Sequence, residues 1–317
     1  MIYAETQANW FFCSLAVGKL GATLVTLYSN LGHSGVIYGM NQTKSKYLIT
    51  TQELMNNLST YVDKLPYLEK IVFFEGKQEH LFGPEIMPPG VPAISLMDLM
   101  DIGAKSEGKV HFDLPKPDDT ALIMYTSGTT SLPKAVLITH KQLMANMRAM
   151  TEAAEDNRIH FPDQTMASFL PLSHIFGYVF NIYMFINCGK IGFATPFTLL
   201  NSSPAHVEGQ PGDLRLLKPN TMIVVPLVLE RFQKEIYAKL NKRGSLAAPL
   251  FTYFMDYKIR WLSRGFDTPI INKLICEKIK SEFGGRLEWL GSGGAALHAQ
   301  IHAFTRAALN TKVMNGN

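Results

Sequence analysis

The sequence has 317 residues, of which 47% are hydrophobic and 18% charged, which predicts a soluble globular protein with one large domain or two smaller ones. Thirty basic and 26 acidic residues leave a formal net charge of only +4. With no block of lysine or arginine, this balance does not indicate nucleic-acid binding, although a weakly basic surface suits anionic cofactors.

The cysteines and the apolar stretches narrow the class of protein further. Three cysteines, odd in number and far apart, fit neither a disulfide framework nor a CxxC metal site and favour a reducing compartment: Cys13, Cys188 and Cys276. The two longest apolar stretches are interrupted by charged or polar residues, so no transmembrane helix is predicted. Helical periodicity begins with the first residues, and we therefore expect the chain to start inside a domain.

The first quarter of the chain alternates between helical and extended patterns. The patterns predict helices over residues 5–20, 34–41 and 52–64, and strands over residues 23–27, 47–50 and 71–74. Such alternation predicts an α/β fold with a largely parallel sheet and helices on its faces.

Residues 76–117 interrupt this alternation with prolines. Six of them break every longer pattern: Pro84, Pro88, Pro89, Pro92, Pro115 and Pro117. We interpret the segment as a connector on the surface of one domain, with a short helix over residues 96–100. A linker between two domains is the alternative.

The next stretch, YTSGTTSLPKAVLITH, places hydroxyls, a glycine and a lysine between two apolar runs. The runs over residues 121–125 and 135–138 predict two buried strands with a loop between them. The loop offers the groups that surround a polyanion, namely five hydroxyls, one unobstructed N–H and one ammonium: Thr126, Ser127, Gly128, Thr129, Thr130, Ser131 and Lys134. A Walker A loop is excluded, because proline precedes Lys134 and no helix follows it directly. A serine- and threonine-rich hairpin that only solvates itself is the alternative.

The second half of the chain continues the β/α pattern. Leu143, Met147 and Met150 recur on one helical face and are interpreted as core residues. A strand over residues 166–170 leads to His174 and an aromatic-rich helix, and a lone histidine there is more commonly a core or capping residue than a functional one. Further helices are predicted around residues 229–240, 249–264 and 269–283.

A small-residue turn closes this series. The strand predicted over residues 286–290 ends in the sequence GSGGAA, and a helix is predicted from Leu297. A turn of this kind lets a flat ring lie against the backbone and presents N–H groups to a ligand, although a simple tight turn has the same composition.

Several of these motifs resemble one family. YTSGTTSLPKAV resembles the phosphate-loop signature YTSGTTGxPKGV of the adenylate-forming superfamily, with Ser131 and Ala135 standing where that family usually has glycine. If either position needs a positive φ, its side chain strains the loop. LKPNTMIVVPLVLERF, GFDTPIINKL and GGRLEWLGSGGAAL resemble the eukaryotic long-chain fatty acyl-CoA synthetases.

The resemblance implies an α/β fold that is an incomplete large domain of an adenylate-forming enzyme, with mainly parallel β-sheets flanked by helices and without the small C-terminal domain. Residues 1–317 would form a partial AMP-binding domain, with a first β/α part over 1–75, the connector over 76–117, and the phosphate loop with the acyl- and adenine-binding part over 118–317.

The implied reaction is the ATP-dependent activation of a long-chain fatty acid through an acyl-adenylate, with Mg²⁺ as cofactor and coenzyme A as co-substrate. By resemblance, the nucleotide would contact Thr126, Ser127, Gly128, Thr129, Thr130, Lys134, Gly293, Gly294 and Ala295. The acyl substrate would contact His174, Phe176, Tyr178, Ser292 and Ala296. Thr129 is a candidate Mg²⁺ ligand, and His174 is the one candidate catalytic residue.

The family's later motifs, YGxTE with its metal-binding glutamate, a ribose-binding aspartate and a catalytic lysine, have no counterpart in this sequence. We therefore expect the 317-residue chain itself to be inactive. A non-catalytic fragment that binds nucleotide or acyl chain, another adenylate-forming ligase, and an unrelated nucleotide-dependent enzyme are the alternatives. The resemblance also implies a protein on the cytosolic face of the endoplasmic reticulum or outer mitochondrial membrane, attached through a segment outside this chain.

Overall fold

The computed structural model describes residues 1–75, 87–106, 113–126, 133–156, 159 and 163–316. The chain divides into two compact units. The first contains Met1–Ala153 with Pro171–Val179, and the second contains Ala154–Leu170 with Phe180–Asn317.

A seven-stranded sheet forms the centre of the first unit, in the order β5-β4-β3-β1-β2-β6-β7. All neighbouring strands are parallel except the last pair, β6 and β7, which is antiparallel. The strands are β1 Ile2–Tyr3, β2 Leu24–Leu27, β3 Tyr47–Thr51, β4 Lys70–Phe74, β5 Ala93–Ser95, β6 Thr120–Thr126 and β7 Lys134–Thr139. The prediction of a mainly parallel sheet flanked by helices is therefore confirmed.

Helices join these strands and cover the sheet. They are α1 Ala8–Lys19, α2 His33–Thr43, α3 Gln52–Leu58, a 3₁₀ turn at Val62–Lys64, α4 Leu96–Lys105 and α5 His140–Asp156. The unit's core packs side chains of α2 and α3 against one face of the sheet, including Val36, Met40, Met55, Leu48 and Ile71. Of the three core residues predicted on α5, Met147 is buried, whereas Leu143 and Met150 are only partly buried.

The predictions for two segments of the first unit need correction. Residues 135–138 form a strand, but it is not buried, because β7 lies at the edge of the sheet and leaves Leu137 60% exposed. The connector contains a strand, β5, that its prolines conceal, and its helix α4 runs five residues further than predicted. Ser95 starts α4, because its hydroxyl accepts a hydrogen bond from the N–H of Asp98.

The second unit contains a five-stranded, fully parallel sheet in the order β12-β11-β10-β8-β9. Its strands are β8 Thr165–Ser168, β9 Lys190–Phe193, β10 Thr221–Val224, β11 Trp289–Ser292 and β12 Lys312–Asn315. The core on one face includes Ala167, Met222, Val224, Leu290 and Phe232.

The helices of this part of the chain follow the predicted order. They are α6 Ile175–Ile186, α7 Asp213–Leu217, α8 Pro226–Asn241, α9 Ala247–Leu262, α10 Pro269–Ile271, a π-helical segment Asn272–Cys276, α11 Glu277–Glu282 and α12 Ala299–Leu309. The first five residues of α6 are counted with the first unit and the others with the second. Within the described ranges, no helix combines the length and the apolar character needed to cross a membrane.

Candidate active site

The two ends of the predicted phosphate loop are held together as a hairpin. Thr126 is the last residue of β6 and Lys134 is the first of β7, and the two are paired across the antiparallel ladder. The Thr126 hydroxyl lies 3.5 Å from the Lys134 carbonyl oxygen, as its hydrogen-bond donor. Directly paired residues project their side chains to the same face of a sheet. The hydroxyl of Thr126 and the ammonium of Lys134, both on exposed residues, therefore share one face at the mouth of the loop.

The predicted loop residues between these ends, Ser127, Gly128, Thr129, Thr130 and Ser131, lie outside the described residues. Ala135, one of the two positions that depart from the family signature, lies in a described strand, β7. Ala135 pairs with Tyr125 inside β7, and it is not among the described non-glycine residues with a positive φ, which are Lys44, Cys188, Lys218 and Asn310. The side chain of Ala135 therefore causes no backbone strain.

Tyr125 fixes the first end of the hairpin to the core. Its ring is buried, and its hydroxyl donates to Oε1 of Gln42 at 2.8 Å and approaches the Gly39 carbonyl at 3.3 Å. Burial raises the pKa of Tyr125 to about 12, and the nearby Tyr38 adds to the shift. A Cβ on Gly39 would lie only 3.0 Å from Leu27 and 3.5 Å from the Tyr125 ring, so glycine allows the close approach of α2.

His174 stands at the N-terminus of α6, where it caps the helix. Its Nδ1 accepts a hydrogen bond from the N–H of Phe176 at 3.1 Å. Because Nδ1 is the acceptor, the neutral ring carries its proton on Nε2. His174 is exposed at the surface, but partial desolvation of its ring lowers its pKa, which favours this neutral form. The histidine is thus a capping residue whose Nε2–H remains a potential donor.

The aromatic residues after His174 differ in exposure. Phe176 is partly buried, whereas Tyr178 is only 4% exposed and packs edge-to-face on Trp10 of α1, with ring centroids 5.7 Å apart. Burial raises the pKa of Tyr178, and a hydrogen bond with Ser14 opposes that shift. The indole N–H of Trp10 is buried and has no hydrogen-bond partner among the described residues. A buried donor of this kind next to Tyr178 is a feature that the sequence did not indicate.

The small-residue turn of the second unit follows β11 directly. The strand begins at Trp289, three residues after the predicted start at 286, and runs through Ser292, two residues beyond the predicted end at Leu290, so Gly291 and Ser292 belong to the sheet. Gly294 has φ +78°, in the left-handed region, and is exposed together with Ala295 and Ala296. The next helix, α12, begins at Ala299 instead of Leu297, because Nδ1 of His298 accepts a hydrogen bond from the N–H of Gln300.

Two buried hydroxyls lie at the carboxyl ends of strands in this sheet. Ser292 ends β11 and Ser168 ends β8, and the side chains of both lack a hydrogen-bond partner among the described residues. Ligands of open parallel sheets bind at the carboxyl ends of the strands. Ser292 was predicted as a substrate contact and lies at this edge, near the buried Gly293. Ser168 was missed, because the strand predicted over residues 166–170 places it in mid-strand, whereas the observed strand ends at Ser168.

A metal site is not formed by the described residues. No group of three His, Cys, Asp or Glu side chains among them is arranged to hold an ion. The candidate ligand Thr129 lies outside these residues. No chemical step below depends on a metal.

Comparison with known proteins assigns nearly the whole chain to one family. The family described as AMP-binding enzyme matches residues 1–316. Curated relatives include Long chain acyl-CoA synthetase 8 of Arabidopsis thaliana, 27% identical over 99% of this chain, and Long-chain-fatty-acid--CoA ligase 2 of Schizosaccharomyces pombe, 29% identical over 98%. Long-chain-fatty-acid--CoA ligase 1 of Homo sapiens is 28% identical over 99%. The chain spans 44% of the length of each of these relatives.

Solved structures share the fold. The A domain of a carboxylic acid reductase from Segniliparus rugosus, in complex with AMP and a co-purified carboxylic acid, aligns with a TM-score of 0.73 at 18% identity. That alignment covers 99% of this chain and 47% of the reductase chain. The anthranilate CoA ligase AuaEII, in complex with anthranoyl-AMP, aligns with a TM-score of 0.66 at 16% identity, over 100% of this chain and 49% of the ligase.

Proposed function

The chain belongs to the family of AMP-binding enzymes, and from this premise we propose that it serves the ATP-dependent activation of a long-chain fatty acid to its coenzyme A thioester. In the first step a carboxylate oxygen attacks the α-phosphorus of ATP, the bond to the bridging oxygen breaks, and pyrophosphate leaves. In the second step the thiolate of coenzyme A attacks the acyl carbon and AMP leaves.

The observation that carries the proposal is the pairing of Thr126 with Lys134. It places one hydroxyl, whose hydrogen bond to the Lys134 carbonyl is long at 3.5 Å, and one ammonium on the same face of a hairpin, with both residues exposed. Charge-assisted hydrogen bonds from such groups hold phosphate oxygens and stabilise the charge that develops as pyrophosphate leaves. Tyr125, buried beneath the hairpin, keeps the strand end in place for this contact.

The turn after β11 is the proposed site for the base and part of the acyl group. The left-handed Gly294 keeps Ala295 and Ala296 exposed without a large side chain, so a planar ring can lie against the backbone. Ser292, buried at the strand end, offers an unused hydroxyl to a bound group. His174 would contribute a neutral Nε2–H donor and Phe176 an apolar contact to the acyl substrate.

The relatives named above support a fatty acid as substrate, whereas one solved structure is described with an unspecified carboxylic acid and the other with anthranoyl-AMP. Exchange of labelled pyrophosphate into ATP, measured with palmitate, acetate and anthranilate, separates these possibilities. In a protein that contains this chain and the remaining length of its relatives, we expect exchange to depend on palmitate and to exceed the rate with either small acid, whereas the 317-residue chain alone should show no exchange. Equal rates with all three acids would contradict the long-chain assignment.

A second measurement addresses binding without turnover. ATP should protect the segment around Lys134 from limited proteolysis, and palmitate should bind whether or not exchange occurs. Protection without exchange would indicate a nucleotide- or acyl-binding protein that is not a catalyst. Absence of protection and exchange together would reject the site built around Thr126 and Lys134.

A further inference from the structure

Helix α9 carries an apolar stripe on its exposed side. Leu246, which caps the helix, is followed by Leu250, Tyr253 and Tyr257 at spacings of four, three and four residues, so the four side chains lie on one helical face. They are 78%, 55%, 59% and 39% exposed. A face of this composition is normally buried, yet here it is open to solvent.

The elements after α9 extend the same kind of surface. Ile270 on α10 and Leu274 in the π-helical segment are 74% and 59% exposed. Leu250 and Leu274 both line one mainly apolar cavity of about 420 Å³, so α9 and the π-helical segment both contribute to its wall. We call residues 242–278 the α9–α10 hairpin and its exposed apolar side chains the patch, two of which, Leu250 and Leu274, also line this cavity.

The turn of the hairpin contains a cluster of aromatic rings. Trp261 lies 5.9 Å from Tyr257 and 5.5 Å from Phe266, measured between ring centroids, and the guanidinium of Arg264 lies 5.8 Å from the Trp261 ring. Phe266 is 58% exposed. Tryptophan and tyrosine with neighbouring arginine are enriched where a protein meets the boundary between water and lipid.

The charges of the hairpin are mainly positive. Six cationic residues are exposed, namely Lys242, Arg243, Arg260, Arg264, Lys273 and Lys278, against three exposed carboxylates, Asp256, Asp267 and Glu277. Asp267 is already engaged, because it accepts hydrogen bonds from the side chain of Asn272 and the N–H of Thr268. The patch is therefore flanked by an excess of cations.

This charge pattern distinguishes between two possible binding partners of the patch, a second copy of the protein and a lipid surface. In a twofold symmetric dimer the same patch meets itself, so the cations of one copy would face those of the other. An anionic lipid surface instead attracts them, while the apolar stripe enters the boundary between headgroups and acyl chains. The cavity behind Leu250 and Leu274 gives an alkyl chain a place to enter.

We propose that the α9–α10 hairpin docks this protein on the surface of an anionic lipid bilayer, with α9 lying in the plane of the interface. The proposal rests on the hairpin alone and does not depend on the reaction proposed above. It requires only that an apolar stripe, an aromatic cluster and six exposed cations act on one surface.

The test is sedimentation of the 317-residue protein with sucrose-loaded vesicles of phosphatidylcholine containing about one third phosphatidylserine. We expect binding to these vesicles, little binding to pure phosphatidylcholine, and a loss when salt rises from about 0.1 M to about 0.5 M. Leu246→Ser combined with Ile270→Ser should reduce bound protein about tenfold, because two apolar anchors no longer enter the interface. Arg260→Glu combined with Lys273→Glu should reduce it as strongly.

Matched controls use residues of similar exposure outside the hairpin. Phe197→Ser combined with Val207→Ser removes two side chains that are 62% and 66% exposed, and Arg231→Glu combined with Lys234→Glu reverses two exposed charges on α8. Both control proteins should bind like the unmodified one. Equal losses for hairpin and control variants would overturn the proposal. So would vesicle binding that is unchanged in the hairpin variants, or light scattering showing that these variants turn a dimer into a monomer.

Discussion

The hydroxyl of Tyr125 donates a 2.8 Å hydrogen bond to Oε1 of Gln42, which joins the end of strand β6 to helix α2. Gln42 in turn donates through Nε2 to the hydroxyl of Tyr38 at 3.0 Å, so the hairpin that carries Thr126 and Lys134 is tied to a short polar chain. The position of the candidate phosphate contacts therefore depends on a residue that does not face the phosphate.

Removal of the Tyr125 hydroxyl tests whether its hydrogen bond to Gln42 supports the position of Thr126 and Lys134. Tyr125→Phe keeps the buried ring but leaves Gln42 Oε1 without its donor, so unfolding free energy should fall by about 1 kcal/mol. We expect weaker ATP binding as well, because the strand end is held less firmly. Chemical denaturation and isothermal titration calorimetry measure the two effects, and Tyr47→Phe, at an exposed strand position, serves as the control. Unchanged ATP affinity in a destabilised Tyr125→Phe protein would assign this contact to folding alone.

Lys134 provides a direct test of the phosphate contact. Lys134→Ala should weaken ATP binding about tenfold or more, since a charge-assisted hydrogen bond is lost, while the thermal midpoint should change little because the side chain is exposed. Lys141→Ala removes another exposed lysine from the start of α5 and should leave ATP binding unchanged. If both variants bind ATP equally well, Lys134 is not a phosphate ligand.

Ala135 tests the unusual residue in the signature. Because it lies in β7 without a positive φ, glycine offers no conformational advantage there. Ala135→Gly should lower stability by about 0.5–1 kcal/mol through the greater backbone entropy of the unfolded chain, and should not increase ATP affinity. Denaturant titration and calorimetry give both quantities. A gain in affinity would show that this strand end changes conformation when nucleotide binds.

Buried parallel strands could be predicted from the sequence, whereas exposure at a sheet edge and the role of a single histidine could not. Parallel strands such as β4 and β10 are largely apolar runs because both of their faces are covered. Strand β4 was predicted within one residue of its ends, and β10 was identified as part of a family motif. The run before Thr139 is equally apolar, but its exposure depends on its place at the sheet edge, which no local pattern contains. The capping role of His174 was one of two alternatives, and only the 3.1 Å contact to Phe176 distinguishes them.

Contacts between distant segments were beyond the reach of local patterns. The fully buried Lys258 donates to Cys276 Sγ at 3.3 Å and to Asn310 Oδ1 at 2.8 Å, and also donates to Asn272. Two segments supply these partners, the π-helical segment with Asn272 and Cys276 and the end of α12 with Asn310, so a periodic apolar pattern gives no sign of them. The same limitation applies to Tyr125, whose partner Gln42 lies 83 residues away.

His174 gives a prediction about pH. Partial desolvation lowers the pKa of His174 in the folded protein, so the folded state binds fewer protons than the unfolded state as pH falls through the ordinary histidine range. Its contribution to stability is therefore present near pH 7 and is lost toward pH 5. His174→Asn keeps a capping side chain without a titrating ring and should lose less stability over that interval. Thermal denaturation of both proteins at pH 7 and pH 5 measures the difference, and identical losses would contradict the predicted role.

Gly294 tests whether the turn after β11 requires glycine for its backbone or for space. A Cβ at this position would lie 3.7 Å from Val225 Cγ1, an ordinary contact, so the added methyl group finds room. The φ of +78° is the obstacle, because an L-residue with a side chain is disfavoured there by about 1–2 kcal/mol. Gly294→Ala should therefore lower stability by about that amount and, by shifting Ala295 and Ala296, weaken adenine-nucleotide binding. Gly103→Ala is the matched control, because this exposed glycine lies inside α4 with no described atom within 4 Å and alanine should stabilise the helix by up to about 1 kcal/mol. Nucleotide affinity that survives Gly294→Ala despite the loss of stability would place the base elsewhere than against this turn.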